Sequence, residues 1–132
     1  MARIIFCNPP FYEQQLKSGN LQKDTAHHST DLQMDDLFQT TFRLLKPGGM
    51  IYLLLPFYRT TEVLLKAGSY QLFPQETIFI KQTPSHPFFR TFIAFRNVIV
   101  EEPVKKEIII KINNDMYSDA FTNLLKDYYL KL

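Results

Sequence analysis

Residues 3–12 read Arg-Ile-Ile-Phe-Cys-Asn-Pro-Pro-Phe-Tyr. A short apolar run ends in Asn8, two consecutive prolines and two aromatics. The prolines fix two φ angles and remove two backbone N–H donors. Pro10 restrains Pro9, and Pro9 restrains Asn8, toward extended backbone. The result is a stiff corner at a strand end. A carbonyl beside a proline stays out of a regular ladder and is free to accept a bond from a ligand. Asn8 adds a side-chain acceptor and an amide donor, and Phe11 adds a flat apolar face.

This set suits an exocyclic amino group on a planar base. Its two hydrogens need two acceptors at fixed angles, which Asn8 Oδ1 and the Pro9 carbonyl can supply. The ring needs a stacking partner, which Phe11 can supply. The amine lone pair is conjugated into the ring and is a poor nucleophile. Two aimed acceptors favour a more pyramidal nitrogen and spread the positive charge that develops during attack, and each such group is worth about 10²–10³ in rate. The same four residues also suit a rigid strand-to-loop turn with a core Phe, and Asn-Pro is a common turn initiator.

The elements that must hold this corner are legible in outline. Ile4 to Cys7 has the continuous apolarity of a strand buried on both faces. Residues 8–24 lack a clear period and read as a long loop, a length associated with function or mobility. Thr30 and Gln33 have capping-box spacing. Leu37, Phe38, Thr41, Leu44 and Leu45 follow at helical intervals, and Lys46-Pro47-Gly48-Gly49 closes that helix. Met50 to Leu55 is a second apolar strand, stopped by Pro56. Strand, helix and strand in this order predict a β-α-β unit with parallel strands.

Thr60 to Ala67 reads as a shorter helix closed by Gly68. Glu76 to Lys81 and Phe88 to Val100 read as an antiparallel strand pair about the turn chemistry of residues 83–87. Residues 101–107 read as a solvated connector and Ile108 to Ile112 as a last strand. Ser118 to Leu130 reads as a helix with Phe121, Leu124, Leu125 and Tyr128 on one face. The expected fold class is α/β, parallel strands followed by an antiparallel pair, in one domain over residues 1–132.

The 132 residues carry a net charge of +2, too little to argue for nucleic-acid binding by charge alone. No apolar run reaches the ~20 residues of a membrane span, and the N-terminus has no secretory pattern. A cytoplasmic location without membrane contact is the expectation. The single cysteine, Cys7, reads as a buried small hydrophobe. His27, His28 and His86 have no carboxylate or cysteine cluster at ligand spacing, so no metal is expected. Lys17, Lys23, Arg43, Lys46, Arg59, Arg90 and Arg96 read as solvated surface that can also line an RNA face. Asp35 and Asp36 read as solvated charge.

The apolar strand before "NPPF", the polar loop, "AHH" and the "LLKPGG" helix end before a second apolar strand resemble class I S-adenosylmethionine-dependent methyltransferases of the NPPF type. Within that superfamily the stretch "NPPFYEQQLKS" followed by Ala26-His27-His28, and the tail "DMYSDAFTNLLKDYYLKL", are most similar to the tRNA(Val) adenine-N6-methyltransferases. The resemblance implies methyl transfer to the amino group of an adenine in tRNA. Asn8 and Pro9 would hold the amino group, Pro10 would rigidify the turn and Phe11 would stack on the base. Tyr12, His27 and His28 would line the substrate pocket, and the target nucleotide would leave its stack to reach them. Relatives with the same motif act on rRNA guanine, on DNA adenine or on a release-factor glutamine, and a non-enzymatic RNA-binding domain derived from such an enzyme has the same sequence features.

One departure from the family is large. Class I methyltransferases hold S-adenosylmethionine on a glycine-rich turn after their first strand. The four glycines here, Gly19, Gly48, Gly49 and Gly68, form no such turn. The expectation is a target-recognition half that begins at the fourth strand of the fold and binds the cofactor weakly or not at all. Its first strand would present an unpaired edge, which invites self-association.

Overall fold

The computed structural model describes residues 1–9, 33–113 and 116–129. Its centre is a five-stranded sheet built from β1 (Ala2–Cys7), β2 (Leu45–Pro56), β3 (Phe73–Lys81), β4 (Phe88–Arg96) and β5 (Val104–Ile109). The order across the sheet is β1-β2-β4-β3-β5. β1 and β2 are parallel, β4 is antiparallel to both its neighbours, and β3 and β5 are parallel. Helix α1 (33–44) precedes β2. Helix α2 (Thr60–Ser69) follows a 3-10 turn at Phe57–Arg59, and α3 (Asp119–Tyr129) follows a small hairpin of β6 (Lys111–Asn113) and β7 (Met116–Tyr117). No helix among the described residues is long and apolar enough to cross a membrane.

β2 and β4 are apolar on both faces because both faces are covered, whereas β1, expected to be buried on both faces, leaves Ile4 and Phe6 exposed on one. On one face Ile51, Leu53 and Leu55 of β2 and Ile93 and Phe95 of β4 pack against Met34 and Phe38 of α1 and Val63 and Ala67 of α2. The α1 stripe Met34, Phe38, Thr41 recurs at helical spacing and is buried. On the opposite face Ile78, Ile80 and Ile108 meet Leu54, Phe92, and Phe121 and Leu124 of α3. The α/β class, the parallel start and the antiparallel pair are as expected.

Several boundaries differ from expectation, each for a local reason. Lys46 to Gly49 lie inside β2 and bulge out of the ladder: the register steps from Ala2↔Leu45 to Ile4↔Met50. Gly48 supplies the bulge with a φ of 77°, and its N–H donates to Asn97 Oδ1 at 2.8 Å. Gly68 does not close α2. The helix continues through Ser69, and the left-handed residue is Gln71, at φ 61°. The connector 101–107 is a strand from Val104 onward, paired with Glu76–Phe79 through backbone bonds that its charged side chains do not signal. β4 ends at Arg96, short of Val100. Asp35 is not simply solvated: it accepts from Lys66 Nζ at 3.1 Å and from the Tyr70 hydroxyl at 3.2 Å, tying α1 to α2. Thr30, Leu125 and Tyr128 lie outside the residues whose side chains are described.

One buried polar lock fixes the start of α2 against the sheet. Thr60 Oγ1 donates to the Phe57 carbonyl at 2.7 Å and lies 2.7 Å from Thr91 Oγ1 on β4. Both threonines are buried. Thr60→Val removes the donor to Phe57 and leaves the Thr91 hydroxyl without its partner. The expected cost is about 1–3 kcal/mol, read as a lower urea midpoint. An unchanged midpoint would show that the lock contributes nothing.

Candidate active site

The parallel β1–β2 pair sends both chains out at one edge of the sheet. The register Cys7↔Leu53 places Asn8 and Pro9 just beyond the last paired residue of β1. The same edge receives the end of β2 at Pro56, paired with Arg90 near the start of β4, and the end of β3 at Lys81, paired with Phe88. Ligand sites of open α/β sheets lie at the carboxyl ends of such parallel strands.

Asn8 is exposed and Pro9 half-buried, so the Asn8 side chain stands available at this edge. Pro10, Phe11, Tyr12, His27 and His28 lie outside the described residues. The behaviour of Cys7 fits its strand position. It is half-buried and packs against the core of the α1–α2 face. Burial pushes its thiol above the ordinary value, so it stays protonated at neutral pH.

β1 is covered on one side only. Ile5 and Cys7 face the core, whereas Ile4 and Phe6 point to the other face and are 40% and 42% exposed. Phe6 packs at 4.7 Å on Tyr52, which stacks at 5.8 Å on Phe92, an aromatic row across three strands. Burial, and then the charge of Glu76, raise the Tyr52 hydroxyl above its ordinary value. The outer edge of β1 pairs with no strand among the described residues.

The basic residues sort themselves. Arg59 is no surface group: it is 3% exposed, and its Nη1 donates to both carboxylate oxygens of Glu62, at 2.9 and 3.1 Å. Arg96 is half-buried beside Gly48. Arg43 and Lys46 are exposed at positions away from the Asn8 edge, and Lys17 and Lys23 lie outside the described residues. His86 is exposed in the β3–β4 turn and shares a hydrogen bond with Thr83 through Nδ1. No group of three or more His, Cys, Asp or Glu side chains that could hold a metal occurs among the described residues.

The sequence reading missed a cluster at the same edge. Phe57, Phe79 and Phe88 form a triangle with ring centroids 5.4–5.9 Å apart. Lys81 Nζ sits 5.2 Å from the Phe88 centroid. The available signal was the chain order: Phe57 directly follows the strand-ending Pro56, and Phe88 directly follows the turn.

No family model matches the chain. Sequence comparison with curated proteins does find relatives. The chain is 33% identical over 129 residues to the tRNA1(Val) (adenine(37)-N6)-methyltransferase of Christiangramia forsetii, covering 98% of this chain and 53% of that protein. It is 33% identical over 128 residues to the enzyme of the same name from Photobacterium profundum, covering 97% and 53%. The chain thus spans about half the length of the curated relatives it matches.

Among solved structures, a predicted O-methyltransferase from Agrobacterium tumefaciens superposes with a TM-score of 0.63 at 14% identity, covering 94% of this chain and 50% of that one. A protein from Thermus thermophilus assigned as a DNA modification methylase, complexed with S-adenosyl-L-methionine, gives 0.53 at 15% identity, covering 75% and 46%. The sheet therefore has the fold of class I methyltransferases. Along nearly its whole length the chain is similar in sequence to about half of a tRNA1(Val) (adenine(37)-N6)-methyltransferase.

Proposed function

We propose that this chain is the target-recognition half of an S-adenosylmethionine-dependent methyltransferase that acts on the exocyclic amino group of an adenine in tRNA. The observation that carries the reading is the Asn8-Pro9 corner at the carboxyl edge of a parallel strand pair, in a chain 33% identical to tRNA adenine-N6 enzymes. In this reading Asn8 Oδ1 and the Pro9 carbonyl accept the two amino hydrogens and orient the nitrogen lone pair. Pro10 stiffens the turn and Phe11 stacks on the base. Tyr12, His27 and His28 line the pocket. The reaction takes place where tRNA is modified, in the cytoplasm.

S-adenosylmethionine supplies the methyl group. The described glycines do not suit its seat: Gly48 and Gly49 lie in the bulge of β2 and Gly68 in the last turn of α2. None opens a helix after a strand. We therefore assign the cofactor to a half of the enzyme that this chain does not supply. The open edge and exposed face of β1 support that assignment, because they offer a strand and apolar side chains to a neighbour. Titration of S-adenosylmethionine into the 132-residue chain should give no detectable heat. Micromolar binding would contradict the division of labour. A second copy is the competing neighbour for the open edge, and light scattering on the chain reads it as a dimer mass.

The function itself is tested by radiolabelled methyl transfer. The chain is joined to the remaining half of a tRNA1(Val) enzyme and offered tRNA, an rRNA fragment and a release factor. Label in tRNA is the expected result. Label in the rRNA or in the release-factor glutamine would overturn the substrate reading.

A further inference from the structure

The sheet has two outer strands, β1 on one side and β5 on the other. β5 pairs with β3 along one edge, and its outer edge meets no strand among the described residues. Val104, Lys105, Lys106 and Glu107 are exposed, whereas Ile108 is buried in the cluster that α3 covers. Side chains alternate along a strand, so Lys105 and Glu107 share one face, beside Thr77 and Phe79 of β3. Neither of those neighbours is charged. Lys105 and Glu107 take part in no ion pair among the described residues. Lys106, on the other face, lies 3.7 Å from Glu76 of its own chain.

An open strand edge is a template for another strand, and lysines on it normally keep copies of a protein apart. The alternation of sign in β5 has the opposite result. Two copies related by a two-fold axis perpendicular to the sheet pair antiparallel, with one residue of β5 facing its own counterpart. When that residue is Lys106, Lys105 stands opposite Glu107 of the second copy, and Glu107 opposite Lys105 of the second copy. Val104 then stands opposite Ile108 on the other face. The one like-charge contact, Lys106 with its counterpart, is flanked on both sides by a Glu76. Centring the pair on Lys105 or on Glu107 loses both ion pairs, so the charge pattern selects a single register.

We infer that the partner of this edge is a second copy of the chain, joined through β5 in the register centred on Lys106. A peptide of one charge sign fits less well, because it answers only half of the Lys105–Glu107 pattern. The two sheets run on as one. β1 and the Asn8 corner lie on the far side of the sheet and stay clear. Antiparallel pairing points the two corners in opposite directions.

The test is sedimentation equilibrium of the 132-residue chain over a range of concentrations. The wild-type mass should rise from that of one chain toward that of two. Lys105→Glu turns both ion pairs into like-charge contacts, as does Glu107→Lys. Each should weaken self-association about 10-fold or more. The two variants mixed should associate with each other, since every opposing pair is then again of opposite sign. The double variant Lys105→Glu/Glu107→Lys should recover the wild-type affinity for the same reason. Both positions are exposed, and urea midpoints exclude unfolding as the cause of any loss.

A wild-type chain that stays monomeric at every concentration would overturn the proposal. So would a dimer that survives both single reversals, because it would be held at another surface, such as the open edge of β1. Loss with both reversals and no recovery in the double variant would also overturn it. None of these results touches the functional reading, which falls on the identity of the methylation product.

Discussion

Asn8→Ala in the complete enzyme should lower methyl transfer by about 10²–10³-fold, with S-adenosylmethionine affinity nearly unchanged. The size of the loss follows from what the side chain does. Asn8 is exposed at the end of β1, so its removal opens no cavity and breaks no core contact. A pure stability effect is therefore excluded as the source of a large loss. In the proposed function, what disappears is one of two acceptors aimed at an amine whose charge grows during attack. An acceptor that matters mainly in the transition state lowers kcat more than it raises the substrate KM. Asn8→Asp keeps an acceptor at the same reach and should retain more activity than Asn8→Ala. Near-normal turnover of Asn8→Ala would defeat the assigned role. Loss confined to cofactor affinity would move Asn8 to the other substrate.

The largest effect on stability is expected at Phe38. Its side chain is fully buried and sits between the sheet and the two helices of one face, with Phe95 edge-on at 6.2 Å and Tyr70 at 6.1 Å. Phe38→Ala leaves a cavity that α1, tied to α2 through Asp35 and Lys66, cannot readily collapse. A loss of about 3–5 kcal/mol is expected. That is a large part of the roughly 5–15 kcal/mol typical of a domain. Phe42, on the outer face of the same helix, is the control: it is exposed, and Phe42→Ala should change stability by about 0.5 kcal/mol or less. Urea unfolding compares the two. Similar midpoints would show that α1 does not pack as described.

The elements that place the corner were legible because their signals are local. Four apolar residues before Asn8 and six before Pro56 mark strands whatever surrounds them. Phe38 and Thr41 mark a helix face, whereas Leu45, at the same spacing, already opens β2. β5 was not legible, since Val104 to Glu107 is paired on one side and charged along its length, and backbone pairing leaves no trace in such side chains. Gly68 looked like a helix end, but the left-handed turn falls three residues later, at Gln71. Arg59 looked like surface charge because its partner, Glu62, is recognised only when the turn after Pro56 is known. The aromatic triangle was hidden for the same reason. Phe57, Phe79 and Phe88 come from three segments that meet only through the register Lys81↔Phe88 and Pro56↔Arg90. The chemistry proposed for the corner, in contrast, rests on consecutive residues, of which Asn8 and Pro9 are found at the strand end where their types place them.

The most direct measurement is the identity of the methylated atom. tRNA incubated with S-adenosylmethionine and the complete enzyme is digested to nucleosides, and the products are separated and weighed against standards. N6-methyladenosine from a single tRNA position, absent with Asn8→Ala, is the expected product. Methyl on a guanine amino group, on a ring nitrogen or on a ribose oxygen would contradict it, because the Asn8-Pro9 acceptor pair would then not be aimed at an adenine amine.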